Sequence, residues 1–241
     1  MLPQIKFGTS GWRAVMAEEF TFANVRRAVR GIARYVAAEK PVGARVIVGR
    51  DPRFLGETFC SIAAEVLRAH GVTPVMIEEA APTPAIAYAV IQTGADGAIN
   101  FTASHNPPEY NGIKFSTADG CPALPEVTKR IEKEIDASDP NPTAQGISSS
   151  ESLDPKPIYL KRLAEIARQR HLKSIVVVSD GTHLFRIRKL CEDAGLTVYT
   201  SPRAMLGHID GWDLWLRYWH EMLSYTAMRL HLDFGWMHEK E

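Results

Sequence analysis

The stretch Asp96-Gly-Ala-Ile-Asn-Phe-Thr-Ala-Ser-His-Asn-Pro-Pro-Glu-Tyr-Asn-Gly-Ile-Lys-Phe115 reads as a strand, a polar loop and a second short strand. The apolar run of Asp96–Phe101 leads straight into the loop that holds Ser104 and His105. Asn111-Gly112 carries a tight-turn signature, and Ile113-Lys-Phe115 alternates as a strand after it, so an antiparallel strand is expected beside Ser104. Upstream, helical and strand patterns alternate. Thr21 is a candidate N-cap for a helix over Phe22–Ala38, with Val25, Val29, Ile32 and Val36 on one face. Arg45-Val-Ile-Val-Gly49 reads as a buried strand. A helix over Glu57–Ala69 stops at Gly71, Thr73–Ile77 is strand-like, and Pro82-Thr-Pro84 opens a helix that Gly94 ends. Leu124–Ile135 closes the unit as an amphipathic helix. The rhythm predicts an α/β fold: a three-layer α/β/α domain with a mixed, mostly parallel sheet.

Four segments are expected: a domain over 1–136, a Ser/Pro/Asp/Asn-rich linker over 137–157, an incomplete second α/β unit over 158–200, and a divergent tail over 201–241. In the second unit, a helix from Ile158 to Arg170, strand Ser174–Val178, a helix ending near Gly195 and strand Leu196–Thr200 make one βαβ unit. Trp212, Trp215, Trp219 and Trp236, four of the five tryptophans, lie in the tail. There Asp213–Leu232 can form a helix with Trp215, Tyr218, Trp219 and Met222 on one face, open to self-association.

Composition narrows the function. The 241 residues hold 28 basic and 28 acidic side chains, so no global field favours nucleic acid or an anionic membrane. Cys60, Cys121 and Cys191 show neither metal-ligand spacing nor a disulfide framework, and are expected as small core residues in a reducing compartment. With no signal-like N-terminus and no membrane-length apolar run, the expected location is cytoplasmic.

Ser104 offers a hydroxyl, His105 a neighbouring imidazole, and Lys114 returns a positive charge to the same place. A serine on a rigid loop beside such groups suits phosphoryl transfer, where the protein positions atoms and neutralises charge. A serine-hydrolase reading fails because no GxSxG surrounds Ser104, and adjacent Ser and His do not easily face each other. Gly8-Thr-Ser-Gly11 lacks the P-loop pattern, so nucleotide binding is not expected. Arg50, Asp51 and Arg53 read as pinning a turn rather than touching substrate, and His208, Asp210 and His220 lack a metal-ligand pattern.

The segment Thr102-Ala-Ser-His-Asn-Pro-Pro-Glu-Tyr-Asn-Gly-Ile-Lys-Phe115 resembles the active-site signature of the α-D-phosphohexomutases, the phosphoglucomutase/phosphomannomutase family. Phe7-Gly-Thr-Ser-Gly-Trp-Arg13 resembles the family's opening motif, and Val48-Gly-Arg-Asp-Pro-Arg53 its second strand and following turn. The resemblance implies that Ser104 carries the phosphoryl group and interconverts hexose 1- and 6-phosphates through a hexose 1,6-bisphosphate. It implies that a magnesium ion binds through the phosphate on Ser104. Lys114 and Arg13 match substrate-phosphate-binding basic residues, with Lys114 in acid–base assistance, and His105 matches a residue that supports the site. Arg13 suits a phosphate because its guanidinium fork meets two oxygens at once.

The family's aspartate metal loop (DGDGDR), its sugar-reading loop (GEESG) and its distal phosphate loop (RxSGTEP) have no counterpart in this sequence. The expectation is therefore a mutase interrupted by a frameshift or premature stop, inactive alone. The alternative is a non-catalytic phosphosugar- or protein-binding domain derived from a mutase.

Overall fold

The structure, a computed structural model, describes residues 4–8, 11–135, 149–193, 195–203, 211–212, 215–216, 218–219, 222–223 and 226. The chain divides into two units, Met1–Arg162 and Leu163–Glu241. In the first, β1 (Trp12–Val15) is followed by α1 (Phe22–Glu39), β2 (Arg45–Arg50), α2 (Gly56–Ala69), β3 (Thr73–Met76) and α3 (Thr83–Thr93). Then come β4 (Gly97–Phe101), β5 (Tyr110–Thr117), α4 (Pro125–Ile135), β6 (Glu151–Ser152) and the start of α5 (Lys156–Gln169). The strands form one six-stranded sheet in the order β1-β5-β4-β2-β3-β6. β4, β2, β3 and β6 pair in parallel, while β5 runs antiparallel to both β4 and β1.

Local signals explain most boundaries. Thr21 caps α1: its hydroxyl accepts the Asn24 N–H at 3.3 Å, satisfying one of the helix's open amides. The residues that follow bury Val25, Ala28, Val29, Ile32 and Val36 at helical spacing. Prolines open α3, and Gly94 ends it in the left-handed conformation, its N–H donating to the Val90 carbonyl.

Strand alternation divides the core into two layers. Val46, Val48, Ile99, Phe101, Ile113 and Phe115 face one side, against α1, α2 and α4. Ile47, Val75, Ile77 and Ala98 face the other, against Ile86, Ala89 and Val90 of α3. On the larger side Trp12, Phe20, Phe59 and Phe101 pack in succession, with centroids 4.8, 5.0 and 5.8 Å apart, the middle pair edge to face. Rings at this separation add to area burial through edge and offset contacts.

The turn expected at Asn111-Gly112 does not exist. Both residues are buried within β5, and the chain reverses in the loop before it. Gly112 serves close approach instead: a Cβ there would lie 2.7 Å from the Thr102 and Trp12 carbonyl oxygens. β1 and β6 had no expected counterpart. β6 lies inside the expected linker, where Leu153 N–H donates to the Met76 carbonyl at the sheet edge. Residues 137–148 of that linker lie outside the described residues. The cysteines also depart from expectation: Cys60 is buried, and burial pushes its thiol pKa up to about 12, but Cys121 is exposed and Cys191 half-buried.

In the second unit β7 (Ser174–Asp180), α6 (Gly181–Asp193) and β8 (Thr197–Arg203) form the expected unit with parallel strands. Described residues between 211 and 226 are helical, and the Trp212 and Trp215 rings stack at 4.9 Å. Residues 227–241, and with them the end of the expected tail helix, lie outside the described residues, as do His208, Asp210 and His220. No helix among the described residues is long and apolar enough to cross a membrane.

Helices α1 and α4 meet at Gly31, where an added Cβ would stand 2.6 Å from Ile135 and 2.8 Å from the Ile131 carbonyl. Gly31→Ala is expected to lower stability by about 1–3 kcal/mol through overpacking. Urea unfolding checks this, and an unchanged midpoint would contradict the close packing.

Candidate active site

The register around β5 places the polar residues. Arg13 stands opposite Gly112, and Asn100 opposite Lys114. Directly opposed residues share a sheet face, as do residues two apart on one strand. Arg13, Asn100 and Lys114 therefore rise from one face, the face that carries α3 further along the sheet. Gly112 leaves the room that Arg13 uses: a Cβ there would be 2.9 Å from the Arg13 Cγ.

At the C-terminal end of β4 the loop turns sharply. Ser104 has φ 58°, a left-handed conformation that costs a non-glycine residue about 1–3 kcal/mol and needs outside support. Its N–H donates to Thr102 Oγ1 at 3.1 Å, and the Asn106 N–H donates to the Ala103 carbonyl at 3.1 Å. Ala103 beneath is buried, whereas Ser104 and His105 are exposed. Ser104 Oγ and His105 Nδ1 are 3.5 Å apart, at the outer limit of hydrogen bonding. The imidazole is a neighbour of the hydroxyl rather than a tightly held base.

Two arginines reach this loop. Arg13 Nη1 donates to Asn106 Oδ1 at 2.9 Å, while its buried Nε has no partner. Arg53 approaches from the turn after β2, donating to the carbonyls of Ser104, Asn106, Pro107 and Tyr110. Its role as a support for the loop is not visible in the sequence. Asp51 does pin its own turn as expected, accepting the Arg53 N–H at 3.1 Å.

Lys114 is half-buried, and its side chain has no hydrogen-bond partner among the described residues. Burial pushes its pKa below the ordinary 10.5, the Arg13 charge adds to that, and Asp51 opposes it. Lys114 lines a cavity of about 110 Å³ with Gly8, Gly11 and Asn100. There the Asn100 amide nitrogen donates to Thr83 Oγ1 at 2.8 Å and its buried oxygen is unpartnered. A larger cavity of about 660 Å³ beside Glu78, Glu79 and Asp154 contains none of the four expected site residues. Gly8 and Gly11 exchange backbone hydrogen bonds at 3.1 and 3.2 Å, so their amides are already used; Thr9 and Ser10 lie outside the described residues.

The structure thus brings Arg13 and Lys114 to one sheet face, and ties Arg13 through Asn106 to the loop of Ser104 and His105. An exposed hydroxyl on a braced turn, with a guanidinium tied to the same loop, can receive and hold an anionic group. Magnesium takes oxygen ligands, usually including one or two carboxylates. The side-chain contact of Ser104 Oγ is an imidazole, and among the described residues no three His, Cys, Asp or Glu side chains are placed to hold a metal ion. These residues alone do not fit magnesium.

Residues 4–142 match the family described as phosphoglucomutase/phosphomannomutase, alpha/beta/alpha domain I. A phosphoglucosamine mutase of Corynebacterium glutamicum (strain R) is 33% identical over 200 residues, covering 80% of this chain and 44% of the relative. One from Lactobacillus acidophilus is 32% identical over 218 residues, covering 83% and 46%. The chain spans about half the length of these curated relatives. Among solved structures, a phosphoglucomutase/phosphomannomutase family protein from Burkholderia thailandensis superposes with a TM-score of 0.64 at 26% identity, over 83% of this chain and 44% of that one. A Paramecium parafusin (phosphoglucomutase) in an open form shares the fold at TM-score 0.60 and 18% identity, over 83% and 44%. With the α/β/α layers, the Ser104 loop and these matches in agreement, the chain belongs to the phosphoglucomutase/phosphomannomutase family.

Proposed function

We propose that residues 1–136 carry the phosphoryl-acceptor domain of a phosphohexomutase-type phosphotransferase, with Ser104 as the acceptor. The observation that carries this reading is the braced left-handed turn, which leaves the Ser104 hydroxyl exposed at the end of β4 with Arg13 and Lys114 on the adjoining sheet face. The substrates are hexose 1- and 6-phosphates, exchanged through a hexose 1,6-bisphosphate. In the acceptor step the sugar O–P bond breaks, a P–O bond forms to Ser104 Oγ, and the serine proton passes to the leaving sugar oxygen. The reverse step delivers the phosphoryl group to the other hydroxyl of the sugar.

Arg13 offers its unpartnered Nε–H to the transferring phosphate, which would satisfy a buried donor at the moment negative charge arrives. Lys114 serves the proton movement. Its lowered pKa brings an ordinarily inert ammonium closer to working pH, while its charged form still neutralises phosphate. His105 lies close enough to orient the serine hydroxyl without taking its proton outright. Magnesium, expected for the family, would add charge neutralisation at the serine phosphate.

Incubation with glucose 1,6-bisphosphate, followed by mass spectrometry of the digested protein, tests the acceptor. One phosphoryl group is expected on Ser104 and none in Ser104→Ala; equal labelling of that variant would overturn the assignment. Lys114 has its own test. Removing the neighbouring charge with Arg13→Gln should raise the Lys114 pKa, because a like charge then no longer disfavours the ammonium. The pH midpoint for acylation of Lys114, read peptide by peptide, is expected to move upward, and an unmoved midpoint contradicts the coupling.

A further inference from the structure

Arg53 has five N–H donors, and the four on its two terminal nitrogens are taken up by backbone carbonyls. Nη1 donates to the Pro107 carbonyl at 2.8 Å and the Tyr110 carbonyl at 2.9 Å. Nη2 donates to the Ser104 carbonyl at 3.0 Å and the Asn106 carbonyl at 2.6 Å. Nε faces Asp51 Oδ2 at 3.4 Å, and the side chain is only 15% exposed. Asp51 is anchored in turn, its N–H donating to the Phe101 carbonyl on β4 at 2.9 Å. A guanidinium so committed has both terminal nitrogens occupied by the loop, and its Nε faces a carboxylate rather than a substrate phosphate. Its contacts span the reversal from the carbonyl of the strained serine to Tyr110.

We propose that Arg53 is a positioning residue for Ser104: its planar fork, oriented by Asp51, holds the loop carbonyls so that the serine stays in its left-handed conformation with the hydroxyl presented outward. Arg53 and Arg13 then divide the work on one residue. Arg53 holds the backbone of Asn106, and Arg13 holds its side chain. A lysine at 53 keeps the charge but has one nitrogen, which cannot reach carbonyls arranged around a flat fork. The conformational claim stands by itself, and only its consequence for phosphoryl transfer rests on the reading of Ser104 as acceptor.

The test compares the full chain with Arg53→Lys, Arg53→Ala and Asp51→Asn by NMR and hydrogen exchange without substrate. In the unaltered chain Ser104 should show the strong intraresidue HN–Hα NOE that a positive φ produces. In Arg53→Lys and Arg53→Ala that NOE should weaken, and exchange over residues 103–110 should rise about tenfold or more, with amides of β2 and β4 unchanged. Asp51→Asn should give an intermediate result, and it decides the matter if an Arg53 variant fails to fold. Full retention of the NOE and the protection in the variants overturns the proposal. As a second readout, Arg53→Lys should slow labelling of Ser104 by glucose 1,6-bisphosphate about tenfold at an unchanged half-saturating concentration. Equal labelling rates would remove the functional consequence. Absence of labelling in the unaltered chain would instead count against the acceptor reading, leaving the NMR result to decide the role of Arg53.

Discussion

The antiparallel pairing of β4 with β5, in the register that sets Phe101 opposite Ile113 and Asn100 opposite Lys114, is the constraint on which the rest of the structure depends. Side chains alternate strictly along a strand, so a slip of one residue would exchange the two faces of β5. Lys114 would then point into the layer of α1, α2 and α4, and Ile113 into the site. Burial of Phe101, Ile113 and Phe115 in one continuous core makes that exchange prohibitive. Burying each such side chain is worth roughly 1.5–3 kcal/mol, whereas an unpaired ammonium in their place would cost several. Hydrophobic packing on one face thereby holds cationic chemistry on the other.

The same pairing sets the geometry of the loop. With both strand ends fixed, the chain between Phe101 and Tyr110 must reverse within a short span, and Ser104 takes the strained position. Strain of this kind persists only where the surroundings over-determine it. Here Thr102, Asn106 and Arg53 supply the contacts, each from a different direction. Arg13 arrives on β1, which pairs with the far edge of β5, and the bare backbone of Gly112 lets its side chain lie across the strand. A rigid reversal with an exposed tip suits a group that must be presented repeatedly in one orientation.

How much of this can be read from the sequence depends on the range of the interaction responsible. α1 was legible to within a residue at its C-terminus because its periodicity and its Thr21 cap are local. β2 and α3 were legible for similar reasons. Asn111-Gly112 was misread because the local turn signal and the true demand look alike. The glycine is required by the carbonyls of Trp12 and Thr102, remote or across the loop from it. β1, four residues long, and β6, two residues long, carry too few alternating positions to stand out. Ser104, His105 and Lys114 stand out in the sequence as polar groups around one loop, whereas Arg13 enters only through resemblance to the family's opening motif. Arg53 was placed in a turn-pinning role since nothing in Asp51-Pro-Arg53 reveals acceptors more than fifty residues away.

The central claim is that the Ser104 loop and its cations form a phosphoryl site before any phosphate arrives. A crystal structure of the chain with Ser104 phosphorylated tests it most directly. The account predicts a loop superposable on the one described here, Ser104 still at positive φ, and phosphate oxygens within hydrogen-bond distance of Arg13 or Lys114. A phosphate turned to solvent on a rearranged loop, with both cations unengaged, would contradict it.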